Sequence, residues 1–334
     1  MNWNYVKKLK SKLDFIAKFT LFSFTLLCYF LIVMVNMSLI LTIILDQNLH
    51  KPMYIFLCFL CINAIYGTVG FYPKFLFDLL SDIQVISYVG CFLQVFIIYS
   101  NIKIDYSILV LIAYDRFVAI CKPLEYNSVM SVRRTTVLIS LCWFIPFCFE
   151  VLVVSLTLTL TLCGNRMQKL YCENWSIVKL SCGSTKANDI VGLIVISFYS
   201  VLPFGFILYT YLRIVLACWK NSSEVRGKVL QSCLPHVISF VVYSVTSFSD
   251  TALSRQNLQK VNPFVAVILS IEFIIIPPFV NPLVYGLKVH KYFCLLFTRK
   301  ANKIKFYQMI QYSKFVIFMT AINFKFLLTL QGFV

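Results

Sequence analysis

Long apolar stretches, separated by short polar segments, run along most of this chain. Seven of them come close to the roughly 20 residues that a helix needs to cross the hydrocarbon core of a bilayer. In chain order, these predicted spans are Phe19–Leu45, Met53–Tyr72, Val85–Ile102 with a continuation to Ile120, Thr135–Leu162, Ile190–Leu212, Val229–Ser249 and Val261–Leu287. Backbone N–H and C=O groups find no water in lipid, so each span is predicted to be a helix. The pattern predicts an all-α membrane protein with a seven-helix transmembrane bundle.

The composition of the chain supports this class. Of the 334 residues, 60% are hydrophobic and 13% are charged, whereas about a quarter are charged in soluble domains. The net charge of +17 is compatible with a nucleic-acid partner, but the cations lie between the apolar stretches and not along one face. Anionic lipid headgroups are therefore the expected partner, and nucleic acid is not.

Catalytic and metal chemistry is not predicted. The histidines His50, His236 and His290 stand in separate segments, and neither His-Glu-x-x-His nor Gly-x-Ser-x-Gly occurs. We therefore expect no enzyme activity, no cofactor and no metal centre. The spans show no internal repeat, which disfavours a transporter built from inverted halves but leaves a transporter as a distant alternative.

The cysteines bear on the orientation of the bundle. Cys91, Cys163, Cys172 and Cys182 lie at the start of span three and in the polar segment between spans four and five. With the amino terminus outside, all four face an oxidising compartment and can form two disulfides, for which the sequence allows three pairings. Lysines just before span one favour the opposite orientation by the positive-inside rule.

Four motifs mark the ends and breaks of the spans. The sequence reads Lys-Pro-Met-Tyr from Lys51, Ala-Tyr-Asp-Arg-Phe-Val-Ala-Ile-Cys from Ala113, Lys-Val-Leu-Gln-Ser-Cys-Leu-Pro-His from Lys228, and Pro-Pro-Phe-Val-Asn-Pro-Leu-Val-Tyr from Pro277. Together these motifs resemble vertebrate odorant receptors, a family of rhodopsin-like G-protein-coupled receptors. The stretch from Tyr66 to Lys74 and the Leu-Ser-Cys that ends at Cys182 are similar to fish members. The resemblance implies a rhodopsin-like bundle.

The resemblance implies a signalling switch at one end of the bundle. In such receptors the arginine that follows an aspartate is released toward a G protein on activation. A guanidinium held by a carboxylate in a low-dielectric mouth is a switchable charge. A proline within span seven is expected to break the helix and act as a hinge. The residues expected to form this switch are Asp115, Arg116, Tyr211, Asn281, Pro282 and Tyr285.

The resemblance also implies which cysteines pair. Cys91 is expected to bond to Cys172, and Cys163 to Cys182. Asn174-Trp-Ser in the same polar segment is a glycosylation sequon.

A ligand pocket is expected in the half of the bundle opposite the switch. Helical spacing places Ile98, Tyr99, Ile102, Lys103 and Tyr106 on or near one face of span three. By resemblance, the lining is completed from spans five to seven by Val195, Tyr199, Ser247, Phe248, Thr251 and Ile271. An apolar and aromatic stripe of this kind is equally what a plain bundle core requires.

Lys103 is unusual because a lysine midway along an apolar span is rare and indicates a functional site with a partner. Asp105 is a poor partner, since residues two apart on a helix point to different faces. The expected partner is Glu150 in span four, Glu272 in span seven or a ligand carboxylate. The last of these predicts acidic or zwitterionic odorants.

Two positions depart from the family pattern. Ala64 stands where the family carries an aspartate in span two, so an ion near Asp105 has one carboxylate fewer to hold it, but the resemblance leaves such an ion open. Val242-Tyr243-Ser244 takes the place of an aromatic pair and a glycine in span six, which makes Tyr243 the expected aromatic switch.

The chain is predicted to consist of a short extracellular amino terminus (1–18), a seven-helix receptor domain (19–291) and an atypical carboxyl-terminal extension (292–334) that is cytoplasmic or membrane-associated. The apolar residues 315–334 are interpreted as a translated extension or a membrane-surface segment without a family role, in preference to an eighth span.

These features predict an odorant receptor of the plasma membrane, a multi-pass protein with its amino terminus outside. It is expected to bind a small extracellular ligand and to activate a stimulatory heterotrimeric G protein. A non-olfactory rhodopsin-like receptor for a small ligand is the alternative.

Overall fold

The computed structural model describes residues 2–3, 15–81, 85–167, 169–219, 222–255, 272 and 274–282. The helices are α1 (Phe15–Leu45), α2 (Pro52–Leu80), α3 (Tyr88–Cys121), α4 (Tyr126–Val129), α5 (Val132–Leu158), α6 (Asn174–Val178), α7 (Lys186–Ile196), α8 (Leu202–Cys218) and α9 (Ser223–Arg255). A 3₁₀ turn covers Gln47–Leu49, and a π-helical turn, Ser197–Val201, joins α7 to α8. Two short strands, β1 (Asn2–Trp3) and β2 (Arg166–Met167), pair in parallel.

Six helical segments of this described part are long and apolar enough to cross a membrane. They are Lys18–Leu45, Pro52–Leu80, Tyr88–Cys121, Val132–Leu158, Lys186–Cys218 and Ser232–Thr251. These segments coincide with predicted spans one to six, and α7, the π turn and α8 together form span five. Residues 274–282 are helical within predicted span seven. The predicted site residues Ile271 and Tyr285 lie outside the described residues.

Some helix ends differ from the prediction for local reasons. α2 is longer than predicted because Lys74 and Asp78, one turn apart and both buried, form an ion pair that offsets their two charges. α3 begins later than predicted because the Ser87 hydroxyl oxygen accepts a hydrogen bond from the Gly90 backbone N–H at 3.0 Å and caps the helix. The helix of span four ends at Leu158, earlier than predicted, because Leu162 already forms an antiparallel β-bridge with Ser181.

α3 is the central helix of the bundle. Of the 18 most apolar consecutive residues of α3, 67% are buried, whereas 17% are buried in the corresponding stretch of span four. Large apolar side chains on spans four and five, including Phe144, Val151 and Leu208, are exposed on the perimeter. Such a perimeter is what a helix presents to lipid tails.

Two glycines let α2 approach α3 closely. A Cβ atom on Gly67 would lie 2.6 Å from the Asn101 side chain, and one on Gly70 would lie 2.8 Å from the Ile97 side chain. Both distances are shorter than a non-bonded carbon contact allows. A larger residue at either position must displace the facing side chain of α3 or the helix that carries it.

Residues 159–185, which we call the outer loop, form a folded cap at one end of the bundle. The loop contains β2, the short helix α6 and both disulfides. Because β1 pairs with β2, the start of the chain lies at this same end. We refer to it as the outer end and to the opposite end as the inner end.

Candidate functional site

The inner end of α3 carries a compact cluster around Asp115. The Arg116 Nη2 atom lies 2.5 Å from Asp115 Oδ2, and the Tyr126 hydroxyl of α4 donates a hydrogen bond to Asp115 Oδ1 at 2.7 Å. Burial and the bond to the Asp115 carboxylate raise the pKa of Tyr126 well above its usual value. The Tyr126 hydroxyl therefore stays protonated and remains a donor at physiological pH. Asp115 is 0% exposed and the Arg116 side chain is 18% exposed, so only the cation reaches the surface.

Next to this cluster a hydrogen-bonded chain joins three helices. The Tyr211 hydroxyl of α8 lies 2.7 Å from His236 Nδ1, and His236 Nε2 of α9 lies 2.8 Å from the Leu109 carbonyl oxygen of α3. A carbonyl oxygen can only accept, so Nε2 carries a proton, and in the neutral ring Nδ1 then accepts from the Tyr211 hydroxyl. In this structure the Tyr211 hydroxyl therefore binds His236.

The described part of span seven lies against span one. The Asn36 side-chain amide donates to the Pro278 carbonyl oxygen at 2.8 Å. Pro282 has no backbone N–H to donate to the Pro278 carbonyl one turn earlier, and the Asn36 side chain takes the place of that donor. Asn281 and Pro282 are buried in this helix. Their role in a hinge remains a prediction.

Both expected disulfides are present. Cys91 is bonded to Cys172 with 5.4 Å between their Cα atoms, and Cys163 is bonded to Cys182 with 5.5 Å between theirs. Gln94 of α3 fixes the first bridge further, because its side-chain oxygen accepts from the Cys172 backbone N–H at 2.8 Å. The outer loop is thus held to α3 by a covalent bond and a hydrogen bond side by side.

A buried ion cluster also joins the outer loop to α9. Lys169 Nζ lies 2.9 Å from Asp250 Oδ1 and 3.2 Å from Glu173 Oε1, and the Tyr171 hydroxyl donates to Asp250 Oδ2 at 2.8 Å. Burial lowers the pKa of Lys169, but the two carboxylates more than offset this and hold the pKa above its ordinary value. The ammonium therefore stays charged. The outer loop cannot lift from α9 without separating buried charges, which is costly.

The predicted pocket face is only partly as expected. Its buried members are Ile98, Lys103, Tyr106, Val195 and Tyr199, and its partly buried members are Tyr99, Ile102 and Ser247. Phe248 and Thr251 are exposed, Phe248 at 75%, and their place in the pocket stays a prediction. Thr246 and Asp250 take the inward positions of α9 instead. Tyr243, the expected aromatic switch, is buried edge-to-face against Tyr106, with 4.9 Å between ring centroids.

Lys103 is paired with another residue of the chain. Its Nζ atom forms an ion pair with Glu150 Oε2 of span four and also donates to the Tyr99 carbonyl oxygen at 3.3 Å. The Tyr99 ring centroid lies 5.5 Å from the same ammonium. Of the three expected partners the structure selects Glu150. The ammonium is already neutralised, so acidic odorants are no longer indicated.

Asp105 is held by amides and not by a second carboxylate. The Asn63 side-chain amide donates to Asp105 Oδ1 at 2.8 Å, and the Asn101 side-chain amide donates to the Asn63 backbone carbonyl oxygen at 2.8 Å. Within the described residues, no cluster of three histidine, cysteine or acidic side chains suited to a metal occurs. We therefore do not propose an ion at Asp105.

Comparison with known proteins identifies the family. The olfactory receptor family model matches residues 24–299. Olfactory receptor 2A12 of Homo sapiens is 34% identical over 274 residues, which is 80% of this chain and 86% of that receptor. Olfactory receptor 1D2 of Pongo pygmaeus is 32% identical over 272 residues, or 80% of this chain and 85% of that receptor. The chain belongs to the olfactory receptor family.

Membership confirms the resemblance read from the four motifs. Olfactory receptors are G-protein-coupled signalling receptors and not enzymes. The multi-pass membrane architecture of this receptor follows from the family and from its apolar helices.

The predicted glycosylation site of the receptor lies in a structured place. Asn174 is the first residue of α6 and is partly buried. Its side-chain oxygen accepts a hydrogen bond from the Thr157 hydroxyl at 2.8 Å. Glycosylation of Asn174 stays a prediction.

Sequence reasoning missed several groups that the receptor uses. Tyr126, His236, Lys169 and Asp250 were not assigned contacts, although each holds two elements together. The motif ending at His236 was the one available signal, because a histidine in an apolar span needs partners for both ring nitrogens.

The Lys103–Glu150 pair gives a stability prediction. Glu150→Leu alone leaves a buried lysine unpaired and should destabilise the receptor by about 3 to 5 kcal/mol. The double variant Lys103→Met/Glu150→Leu removes both charges and should unfold close to the wild-type temperature. Thermal unfolding of the detergent-purified receptor measures both. A double variant as unstable as the single one would show that the pair is not isolated.

Proposed function

We propose that the receptor binds a small odorant in the outer half of the bundle and activates a stimulatory heterotrimeric G protein at the inner end. The observation that supports this most is the Arg116 side chain, held 2.5 Å from Asp115 and partly exposed. A guanidinium kept by a neighbouring carboxylate can pass to a new acceptor with little movement. The Arg116 guanidinium is therefore held by Asp115 in the closed bundle and can bind a G protein when the bundle opens.

The hydrogen-bonded chain from Tyr211 through His236 to Leu109 supports a closed inner end. It joins α8, α9 and α3, so an outward movement of α9 must break one of its two hydrogen bonds. An odorant shifts the bundle toward the open form only if it binds the open form more tightly than the closed form. A shift from 1:99 to 99:1 needs about 5.5 kcal/mol of differential affinity.

We propose that the outer end is extracellular and that the receptor acts at the plasma membrane. The two disulfides of the outer loop require an oxidising compartment. The pairing of β1 with β2 places the amino terminus at that end. Residues 1–18 then form the extracellular amino terminus, 19–291 the receptor domain and 292–334 the cytoplasmic or membrane-associated extension.

A cAMP assay tests the proposed function. Cells that carry the receptor and a stimulatory olfactory-type G protein should raise cAMP in response to at least one odorant of a broad water-soluble mixture, whereas cells without the receptor should not. The proposal would be contradicted if the receptor is present at the cell surface but responds to no odorant, or responds only through another second messenger.

A further inference from the structure

One acceptor of the Lys103–Glu150 pair is unused. Glu150 is 0% exposed, and its Oε2 atom meets Lys103. Its Oε1 atom has no hydrogen-bond partner in the part of the chain that the structure describes. Buried acceptors in native proteins nearly always accept a hydrogen bond, so an acceptor without one indicates a special role.

A second unsatisfied group lies on the neighbouring span. The Tyr199 hydroxyl is buried and, among the described residues, also lacks a hydrogen-bond partner. Phe149, the residue before Glu150 on span four, packs against Tyr199 with 5.7 Å between ring centroids, so Glu150 and Tyr199 lie in one region between spans four and five. An acceptor and a hydroxyl, both buried and both unsatisfied, are what a polar ligand group needs.

The surroundings of this pair of groups are apolar and aromatic. The Phe149 ring packs edge-on against Tyr199 with 5.7 Å between centroids, and Tyr99 lies under the Lys103 ammonium. Small-ligand sites combine apolar walls with a few polar groups that orient the ligand.

We infer that Glu150 Oε1 and the Tyr199 hydroxyl bind the polar head of the odorant, and that this head is a hydroxyl group. The inference rests on the proposed receptor function. An alcohol O–H donates to Glu150 Oε1, and its oxygen accepts from the Tyr199 O–H. An ether or a ketone has no proton to donate and leaves Oε1 unsatisfied.

Charge disfavours an ionised ligand group at this site. Lys103 and Glu150 together carry no net charge. A carboxylate would bring a second negative charge beside Glu150, and an ammonium would bring a second positive charge beside Lys103. Either adds an unbalanced charge to a buried site, which is strongly unfavourable, whereas a hydroxyl adds none.

A matched odorant panel tests the ligand class in the cAMP assay. It contains the linear alcohols from butanol to decanol, cyclohexanol and benzyl alcohol, each with the acid, the amine and the methyl ether of the same skeleton. At least one alcohol should activate the receptor, and its three analogues should be weaker by about tenfold or more, the equivalent of one hydrogen bond. An alcohol no more potent than its methyl ether would overturn the inference.

Two tyrosines of span five provide a variant and its control. Tyr199→Phe removes only the unsatisfied hydroxyl and should lower the potency of the alcohol by about tenfold, with surface level and maximal response unchanged. Tyr209→Phe alters a residue that is 52% exposed on the perimeter and should change nothing. Equal potency in Tyr199→Phe and Tyr209→Phe would overturn the role of Tyr199.

The outcomes separate this inference from the proposed function. If acids or amines activate the receptor through Arg116 and alcohols do not, the hydroxyl inference is overturned and the receptor function stands. If neither this panel nor the broad odorant mixture raises cAMP in cells with the receptor at their surface, both are contradicted.

Discussion

Arg116→Ala is expected to reduce odorant-stimulated cAMP to the level of cells without the receptor, while surface expression persists. The substitution removes the guanidinium that we propose the G protein engages. Asp115 keeps a partner after the change, because the Tyr126 hydroxyl still donates to it at 2.7 Å. The buried carboxylate is therefore not stranded, and the fold should survive.

The measurement compares cAMP with surface staining in the same cells. Arg133→Ala is the matched control, since Arg133 is an exposed arginine near the start of α5 at the same end of the bundle. It should signal as the wild type does. Normal cAMP output from Arg116→Ala would sink the proposed coupling mechanism.

Serine at Cys91 or Cys172 is expected to remove most of the receptor from the cell surface. Both cysteines are 0% exposed, and their bond spans 81 residues between α3 and the outer loop. Loss of a native disulfide costs about 2 to 5 kcal/mol, and more for longer loops. The outer loop would also lose the geometry that lets the Cys172 N–H reach Gln94.

Variants of two other cysteines provide a comparison for the loss of surface delivery. Cys163→Ser opens a bridge of sequence separation 19 and should reduce surface delivery less. Cys148→Ser alters an exposed free cysteine of α5 and should leave delivery unchanged. Flow cytometry of intact cells, normalised to total receptor on an immunoblot, measures all of them. Equal surface fractions for Cys91→Ser and Cys148→Ser would contradict the prediction.

Bilayer physics explains why six helices could be predicted from the sequence. A span must be apolar and helical over its whole length, so hydrophobicity alone locates it. Spacing did not decide the disulfide pairs, because the cysteines allow three pairings. The family resemblance decided them, and the structure confirms both bonds.

The polar contacts between elements could not be predicted in the same way. Lys169 and Asp250 are 81 residues apart, and nothing in their neighbourhoods marks them as partners. Phe248 was assigned to the pocket by family resemblance, and its aromatic side chain suits a pocket as well as it suits lipid. A helical pattern in a membrane is apolar on every face, so hydrophobicity cannot tell the inward from the outward side.

GTP exchange on purified stimulatory G protein, in membranes that contain either the wild-type receptor or Arg116→Ala, measures whether a bound odorant acts on the G protein through Arg116. An activating odorant should accelerate exchange with the wild type and have no effect with Arg116→Ala. The same acceleration with both receptors, or none with a wild type that binds the odorant, would overturn the proposed coupling.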